Sequence, residues 1–314
     1  MVTHHTRQET LVTAEAEGIY ALVADATRWP HMFRRIVHVD VLHDDGTEQL
    51  LRVWHIARGD VRDCMVRRRL DPGARSISYE QVVTRPPVAA MSARWTVQSA
   101  GPRTSRLALT HLYEVVGDDA DGASWIDGAL SRCATADLAS IKRHAEANAA
   151  TAGTYLSFCD AEVIHGSATS VFDFVSNVDA WTEKLPHVGR LKLTERTAGV
   201  QHIEASVFAP DGSVHATTAV RLCFPERGSI YYKQLRTSAP IAAHTGRWEF
   251  AESDGTVIAR SWHTVTLDVE GLRAELGPEL TTVQLRAKVR HALGTDSLMT
   301  LRRAKDFIEG SRSV

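Results

Sequence analysis

A stretch of 17 residues occurs twice in this chain of 314 residues. Residues 79–95 read YEQVVTRPPVAAMSARW, residues 232–248 read YKQLRTSAPIAAHTGRW, and the two align without a gap with 8 identical positions. Their spacing of 153 residues far exceeds the units of solenoid proteins, which are about 20–50 residues long. The repeat therefore predicts two copies of one whole domain.

The match continues on both sides of this stretch. Trp29 in VADATRWPHMF matches Trp181 in VSNVDAWTEKL, and further along His111 matches His263. The join falls near 145–154, AEANAATAGT, whose small and polar residues are typical of a linker. We expect an N-terminal domain at 1–148 and a C-terminal domain at 155–314.

Each copy shows the same predicted order of elements. A strand is followed by one or two short helices, six strands separated by turn signals such as DDGT, RGD and DPGA, and a long helix. In the first copy the long helix has one apolar stripe, formed by Ile126, Leu130, Ala134, Leu138, Ile141 and Ala145. In the second copy the strands run to about 269 and we expect the helix to begin at Pro278. The pattern predicts an α+β fold in which a curled seven-stranded antiparallel sheet encloses a cavity against the helix.

The composition excludes several classes of protein. The net charge of −2 gives no reason to expect a nucleic-acid partner, and no stretch approaches the roughly 20 apolar residues of a membrane span. The start MVTHHTRQET has no apolar run, and the four cysteines show no CxxC pair. We therefore expect a cytoplasmic protein with free thiols, no metal site and no membrane association.

Three segments, in their order along the chain, carry a family resemblance. WPHMF after the first helix, the arginine-rich strand CMVRRRLDP and PPVAAMSARW, in this order of elements, resemble the polyketide aromatase/cyclases of bacterial type II polyketide synthases, within the Bet v 1-like, START-type (SRPBCC) superfamily. The tandem arrangement over essentially the whole chain is similar to the di-domain subclass. The resemblance implies two helix-grip domains, each a curved seven-stranded antiparallel sheet around a long C-terminal helix.

The resemblance also implies an activity. Its members take a poly-β-ketone from the phosphopantetheine arm of an acyl carrier protein, working with the other synthase subunits and without a cofactor. They promote aldol closure between carbons 7 and 12, and loss of water then aromatises the ring. Three alternatives stay open: aromatisation only, of a ketoreduced and already cyclised chain; a non-catalytic carrier of an apolar small molecule; and a scaffold with collapsed cavities. A carrier predicts a uniformly apolar cavity, whereas an enzyme predicts a cation among aromatic rings.

The cation in this scheme is an arginine that stabilises the developing negative charge on oxygen, an effect that contributes about 3–4 kcal/mol in a dry site. In the first copy the resemblance selects Arg69, which lies 26 residues before the tryptophan of ARW. Strand alternation offers the opposite reading: if Val66 and Leu70 face inward, Arg68 does too, and Arg69 faces water. In the second copy Arg221 is the candidate, and the gapless alignment pairs it with Arg68, whereas a one-residue slip pairs it with Arg69.

Aromatic side chains are the expected walls that orient the flexible substrate. The resemblance and the repeat together select Trp29, Phe33, Trp95, Trp181 and Trp248 as substrate-binding residues; the alternative is that they are core residues.

Histidines at matched or motif-adjacent positions are further candidates for proton transfer, namely His31, His111, His187 and His263. No Ser/His/Asp or metal-ligand spacing accompanies them.

Overall fold

The structure is a computed structural model that describes residues 2–150, 154–185, 188–208, 214–237 and 240–310, with the backbone alone at 148–150. The chain divides into two compact units, Met1–Ala152 and Gly153–Val314. The division falls within the predicted linker, and we retain 1–148 and 155–314 as the proposed domain limits.

The N-terminal unit is one antiparallel sheet of seven strands with three helices. The strands are β1 (Thr3–Val12), β2 (Ile36–Asp44), β3 (Glu48–Ala57), β4 (Asp60–Asp71), β5 (Ser76–Gln81), β6 (Val88–Gly101) and β7 (Thr104–Val115). The helices are α1 (Ala16–Ala24), α2 (Trp29–Met32) and α3 (Ala120–Ala150). The sheet order is β1-β7-β6-β5-β4-β3-β2, so the last strand returns to pair with the first.

The C-terminal unit repeats this architecture. Its strands are β8 (Tyr155–His165), β9 (Val188–Thr197), β10 (Val200–Phe208), β11 (Val214–Phe224), β12 (Ser229–Arg236), β13 (Ile241–Ser253) and β14 (Thr256–Leu267), in the order β8-β14-β13-β12-β11-β10-β9. Its helices are α4 (Ala168–Ser176), α5 (Trp181–Lys184), α6 (Val269–Leu276) and α7 (Thr282–Gly310).

The long helix of each unit closes the core on one face of the sheet. In α3 the predicted apolar stripe is confirmed, since Ala134, Leu138 and Ile141 are buried in one cluster with Leu107 and Leu109 of β7. In the C-terminal unit Leu301, Ala304 and Ile308 of α7 pack in the same way against the sheet. The four cysteines are free and partly buried.

The prediction for the end of the second copy is wrong in one respect. A separate helix, α6, precedes the long helix, which begins at Thr282 rather than at Pro278. The Asp268 side chain caps α6 by accepting from Gly271 N at 3.1 Å. A reciprocal capping box starts α7, because Thr281 Oγ1 accepts from Gln284 N and Gln284 Oε1 accepts from Thr281 N. The spacing Thr-x-x-Gln is the sequence signal that marks this start.

The two faces of β7 provide a test of the sheet's orientation. Leu107 is fully buried in the core, whereas Leu112 is 47% exposed. We expect Leu107→Ala to lower the free energy of unfolding by about 2–5 kcal/mol because it leaves a cavity. Leu112→Ala changes it by no more than about 0.5 kcal/mol. Urea denaturation of both variants measures the difference, and equal losses would contradict the assigned faces.

Candidate active site

The arginine-rich strand β4 alternates between core and solvent. Arg68 is only 2% exposed, whereas Arg67 and Arg69 are exposed on the opposite face, where they border a surface groove of about 670 Å³. Arg68 pairs across the ladder with Tyr79, and Leu70 with Ile77, on the inner face. The prediction that Arg69 points into the interior is therefore wrong, because side chains alternate along a strand and the apolar neighbours turn Arg68 inward.

Each of the three guanidinium nitrogens of Arg68 has a protein partner. Nε donates to Gln49 Oε1 at 2.6 Å, Nη1 donates to the carbonyl of Val23 at 3.4 Å, and Nη2 donates to the carbonyl of Ala24. Those carbonyls end helix α1, where no intrahelical N–H is left to bond them, and where the helix dipole favours a cation. Arg68 therefore caps a helix and secures it to the sheet.

The predicted aromatic residues of the N-terminal unit lie in its core. Trp29, Phe33 and Trp95 belong to one buried cluster, and Arg68 stacks 5.1 Å from the Trp29 ring. The Trp29 indole donates to the carbonyl of Val23 at 3.1 Å.

In the N-terminal unit an ion pair links the long helix α3 to the segment between α2 and β2. Arg35 Nη2 lies 2.5 Å from Asp137 Oδ2 of α3. The matched stretches LASIKR at 138–143 and LMTLRR at 298–303 place Ser297 where Asp137 stands, so the C-terminal unit has no carboxylate at this position.

Arg221 occupies the position of Arg68 in the second copy. It pairs with Tyr232 as Arg68 pairs with Tyr79, so the gapless alignment is correct and the slipped one is not. Its side chain is 3% exposed, and burial lowers its pKa. Nη2 donates to the carbonyl of Val175 at 2.7 Å, and the guanidinium lies 4.9 Å from the Trp181 ring. Nε and Nη1 have no hydrogen-bond partner among the described residues.

Arg221 borders a cavity of about 190 Å³ inside the C-terminal unit. Trp181 and Trp248, both predicted substrate-binding residues, line this cavity. Aliphatic side chains of β10 and β11 form another wall, with Ile203, Ala205, Val207 and Ala219. The arrangement places one buried cation among aromatic and aliphatic surfaces.

A cluster of three ring side chains forms the polar part of the cavity wall. The Tyr232 hydroxyl lies 3.0 Å from Nδ1 of His263, and Nε2 of His244 lies 3.1 Å from the same atom. Burial lowers the pKa of His244 to about 3 and, with the charge of Arg290, that of His263 to about 4. Both imidazoles are therefore neutral at pH 7, and Arg221 carries the positive charge among the described residues that line the cavity.

The two copies also match known proteins. A family model described as polyketide cyclase/dehydrase and lipid transport matches residues 12–132 and again residues 164–295. The chain belongs to this polyketide cyclase/dehydrase family. The predicted family and α+β fold are thereby confirmed.

Relatives match this cyclase/dehydrase-family chain over nearly its whole length. It is 34% identical over 305 residues to the granaticin polyketide synthase bifunctional cyclase/dehydratase of Streptomyces violaceoruber, covering 96% of this chain and 94% of the relative. It is also 34% identical over 301 residues to the actinorhodin polyketide synthase bifunctional cyclase/dehydratase of Streptomyces coelicolor, covering 93% and 92%.

Two solved di-domain structures are similar throughout. The di-domain ARO/CYC BexL from the BE-7585A biosynthetic pathway is 39% identical with a TM-score of 0.89, covering 98% of this chain and 99% of that one. The di-domain ARO/CYC StfQ from the steffimycin biosynthetic pathway is 27% identical with a TM-score of 0.85, covering 98% and 100%.

One carboxyl group of this family member borders the cavity from helix α7. Asp296 lines the cavity and is exposed, and partial desolvation by the surrounding protein raises its pKa to about 6. A carboxyl group with such a pKa is partly protonated near neutrality and can donate a proton.

Sequence reasoning missed Tyr232, His244 and Asp296. Tyr232 is identical in both copies and was available as a signal in the repeat, whereas His244 replaces Met91 and so marks where the copies diverge. Asp296, Ser297 and Thr300 interrupt the apolar face of α7 with polar groups, which is the pattern of a helix that lines a polar space. Of the histidine candidates, His263 lies in the cavity wall, and His187 lies outside the described residues.

Neither a membrane-spanning helix nor a metal site is found among the described residues. No helix there has both the length and the apolar character needed to cross a bilayer. Within the same residues, no group of three or more His, Cys, Asp or Glu side chains is arranged to hold a metal ion.

Arg68 and Arg69 are adjacent in β4, so substituting each of them compares a buried arginine that caps a helix with an exposed one. We expect Arg68→Met to lower the free energy of unfolding by about 2–4 kcal/mol, because it leaves the Gln49 oxygen and the helix carbonyls without a charged donor. Arg69→Met serves as the matched control and changes it by no more than about 0.5 kcal/mol. Chemical denaturation checks both, and a larger loss for Arg69→Met would reverse the assignment.

Proposed function

We propose that this protein is an aromatase/cyclase that closes the first ring of a poly-β-ketone between carbons 7 and 12 and promotes the loss of water that aromatises it. The observation that carries the proposal is Arg221, a buried cation at the wall of a cavity lined by Trp181 and Trp248, whose Nε and Nη1 have no hydrogen-bond partner among the described residues. A carrier of apolar molecules gains nothing from leaving two nitrogens of this cation unbonded beside its cavity, because unsatisfied buried polar groups are costly.

The size of the cavity suits one ring. An apolar cavity of about 150 Å³ accepts benzene, so the cavity of about 190 Å³ holds a six-membered ring with its substituents. The rest of the chain extends from the cavity. Confining a short segment forces the two reacting carbons together, and orientation of this kind contributes on the order of 7 kcal/mol or more.

Arg221 acts on the oxygen where negative charge develops. In aldol closure an enolate carbon attacks a ketone carbon, and the charge moves from the enolate oxygen to the new alkoxide. The N–H groups of a guanidinium stabilise such an oxygen, and the surrounding indoles keep the local dielectric constant low. Because burial already lowers the pKa of Arg221, an oxyanion partner also relieves the cost of the buried charge.

Neutral groups of the cavity wall move the protons. A β-diketone methylene is acidic and Arg221 stabilises its enolate, so an imidazole of His244 or His263, although its low pKa makes it a weak base, can accept the proton and return it to the alkoxide after ring closure. In the dehydration the protonated Asp296 carboxyl donates to the β-hydroxyl group, which leaves as water. The adjacent carbon gives its proton to an imidazole, so that the C=C bond forms with no net oxidation or reduction.

In this proposal the N-terminal unit has the same fold but a structural role. Arg68 has each guanidinium nitrogen engaged by Gln49, Val23 or Ala24, so none of its nitrogens lacks a protein partner, unlike those of Arg221. We therefore place the cation-assisted step in the C-terminal unit. Trp29, Phe33 and Trp95 then serve as core residues, and Trp181 and Trp248 as substrate-binding residues.

The proposed partner is an acyl carrier protein that presents the ketide on its phosphopantetheine arm, together with the other subunits of the synthase. Arg67 and Arg69 are exposed beside one groove that also carries Glu48, Glu80 and Glu114, and we propose these two arginines as contacts for an acidic carrier. The basic residues at the end of α7 are less available, because Arg302 and Lys305 both lie near Glu162. We further propose that the protein acts in the cytoplasm and without a cofactor.

Reconstitution with a minimal polyketide synthase tests the activity. With the wild-type protein we expect the shunt products to give way to a product cyclised between carbons 7 and 12, detected by mass and ultraviolet spectra. Arg221→Met should lower its rate of formation by about 10²–10³-fold, the usual effect of removing an oxyanion donor. Arg103→Met, at an exposed position in the turn between β6 and β7, is the control and retains the wild-type rate. An unchanged shunt profile with the wild-type protein excludes the cyclase, and running the assay with and without ketoreductase separates cyclisation from aromatisation alone.

Asp296 makes the dehydration step depend on pH. Since its pKa is about 6, the protonated acid is depleted as the pH rises through 6, and the rate of aromatisation should decline over that range. Asp296→Asn should be slower by about 10²-fold and lack this decline, because the amide cannot donate the proton. Asp306→Asn, an exposed position on the same helix, should keep the wild-type pH profile. An Asp296→Asn profile that still declines through pH 6 would exclude Asp296 as the acid.

A further inference from the structure

A glutamine stands beside the inner-face arginine in both units. Gln49 of β3 is the ladder partner of Arg68, and Gln201 of β10 is the ladder partner of Arg221. Each glutamine also reaches a carboxylate, Asp44 in the first unit and Glu195 in the second. The two units therefore contain the same set of groups at the same place, and their hydrogen bonds can be compared directly.

In the N-terminal unit the glutamine binds the arginine. Gln49 Oε1 accepts from Arg68 Nε at 2.6 Å, while Gln49 Nε2 donates to Asp44 Oδ2 at 2.6 Å. The carbonyl of Ala24, the last residue of α1, is left for Arg68 Nη2. Every polar atom of this set has a partner, so the guanidinium is held in the wall.

In the C-terminal unit the corresponding glutamine bonds other groups and not the arginine. Gln201 Nε2 donates to the carbonyl of Ser176 at 3.0 Å and to Glu195 Oε2 at 3.1 Å. Both partners are acceptors only, so the amide nitrogen must be the atom that faces them. Ser176 is the last residue of α4 and corresponds to Ala24 of α1. Gln201 thus occupies the carbonyl that the arginine takes in the other unit.

This orientation of the Gln201 amide leaves complementary atoms unpaired. Gln201 Oε1 is buried without a partner among the described residues, and so are Nε and Nη1 of Arg221. Buried polar groups are seldom left unbonded unless they serve a function. A rotation of the Gln201 amide would give Arg221 both the glutamine oxygen and the Ser176 carbonyl, which is the arrangement of Arg68.

We propose that Gln201 is a positioning residue that holds the Ser176 carbonyl and thereby keeps Nε and Nη1 of Arg221 available for an oxygen of the substrate. This inference rests on the proposed function, in which that oxygen is the enolate or alkoxide of a ketide. The Gln49–Arg68 pair is the closed form of the same set, and the Gln201–Arg221 pair is the open form. Glu195 supports the open form, because it accepts from the same amide nitrogen.

The variant Gln201→Glu tests this arrangement. A carboxylate cannot donate to the Ser176 carbonyl, and Glu195 repels it, so it should turn to Arg221 and occupy Nε. We expect kcat for cyclised product to fall by about 10²-fold, as when one oxyanion donor is removed, with KM changed by less than about threefold. The matched control is Gln49→Glu, in the unit whose glutamine oxygen already accepts from the arginine, and it should retain the wild-type kcat.

A second measurement does not depend on activity. A crystal structure of Gln201→Glu should show its carboxylate within hydrogen-bond distance of Arg221 Nε, and an Arg221 that still leaves Nε and Nη1 unpaired would overturn the inference. Wild-type kcat in Gln201→Glu, with Arg221→Met inactive, would overturn it while leaving the proposed function in place. A wild-type protein that forms no cyclised product would overturn the proposed function instead, and the crystal structure would still decide whether Gln201 controls the arginine.

Discussion

A guanidinium buried against the last carbonyls of a short helix is the interaction on which each half of this protein depends. Helix α1 ends at Ala24 and helix α4 ends at Ser176, and each end leaves carbonyl groups that no helical N–H can reach. An arginine from the inner face of the neighbouring sheet supplies the missing donors, through Arg68 in one half and Arg221 in the other. The same contact compensates the charge of the arginine, which could not otherwise be buried among indole rings.

The two halves differ in how the buried arginine is bonded. In the first half Gln49 completes the shell of Arg68, and Arg35 with Asp137 forms an ion pair nearby. In the second half Gln201 binds a helix carbonyl instead, and the alignment places Ser297 at the position of Asp137. The result is a cavity bordered by a partly bonded cation, while the first half retains the fully bonded arrangement.

The architecture was accessible from the sequence because it depends on repeated, short-range patterns. Alternation, turn signals and the apolar stripe of α3 predicted the strands and the long helix, and the repeat predicted a second copy. Helix α6 was missed because it is short and its start is marked by a single cap at Asp268, and the start of α7 was misplaced because the Thr281 capping box marks it instead of Pro278. The choice of Arg69 failed for a different reason: the position was counted along the chain from a family motif, and a shift of one residue moves a side chain to the opposite face of the sheet.

The sequence by itself determined the family, the two-fold repetition, the order of strands and helices, and the aromatic positions that surround each arginine. Only the tertiary structure decided which arginine keeps free N–H groups, and that His244, His263, Tyr232 and Asp296 share a cavity with Arg221. The physical reason is that local periodicity specifies which face of an element a residue occupies. The partners that a buried polar group finds on that face come from strands and helices far apart in the chain, and they depend on side-chain rotations that no spacing in the sequence records.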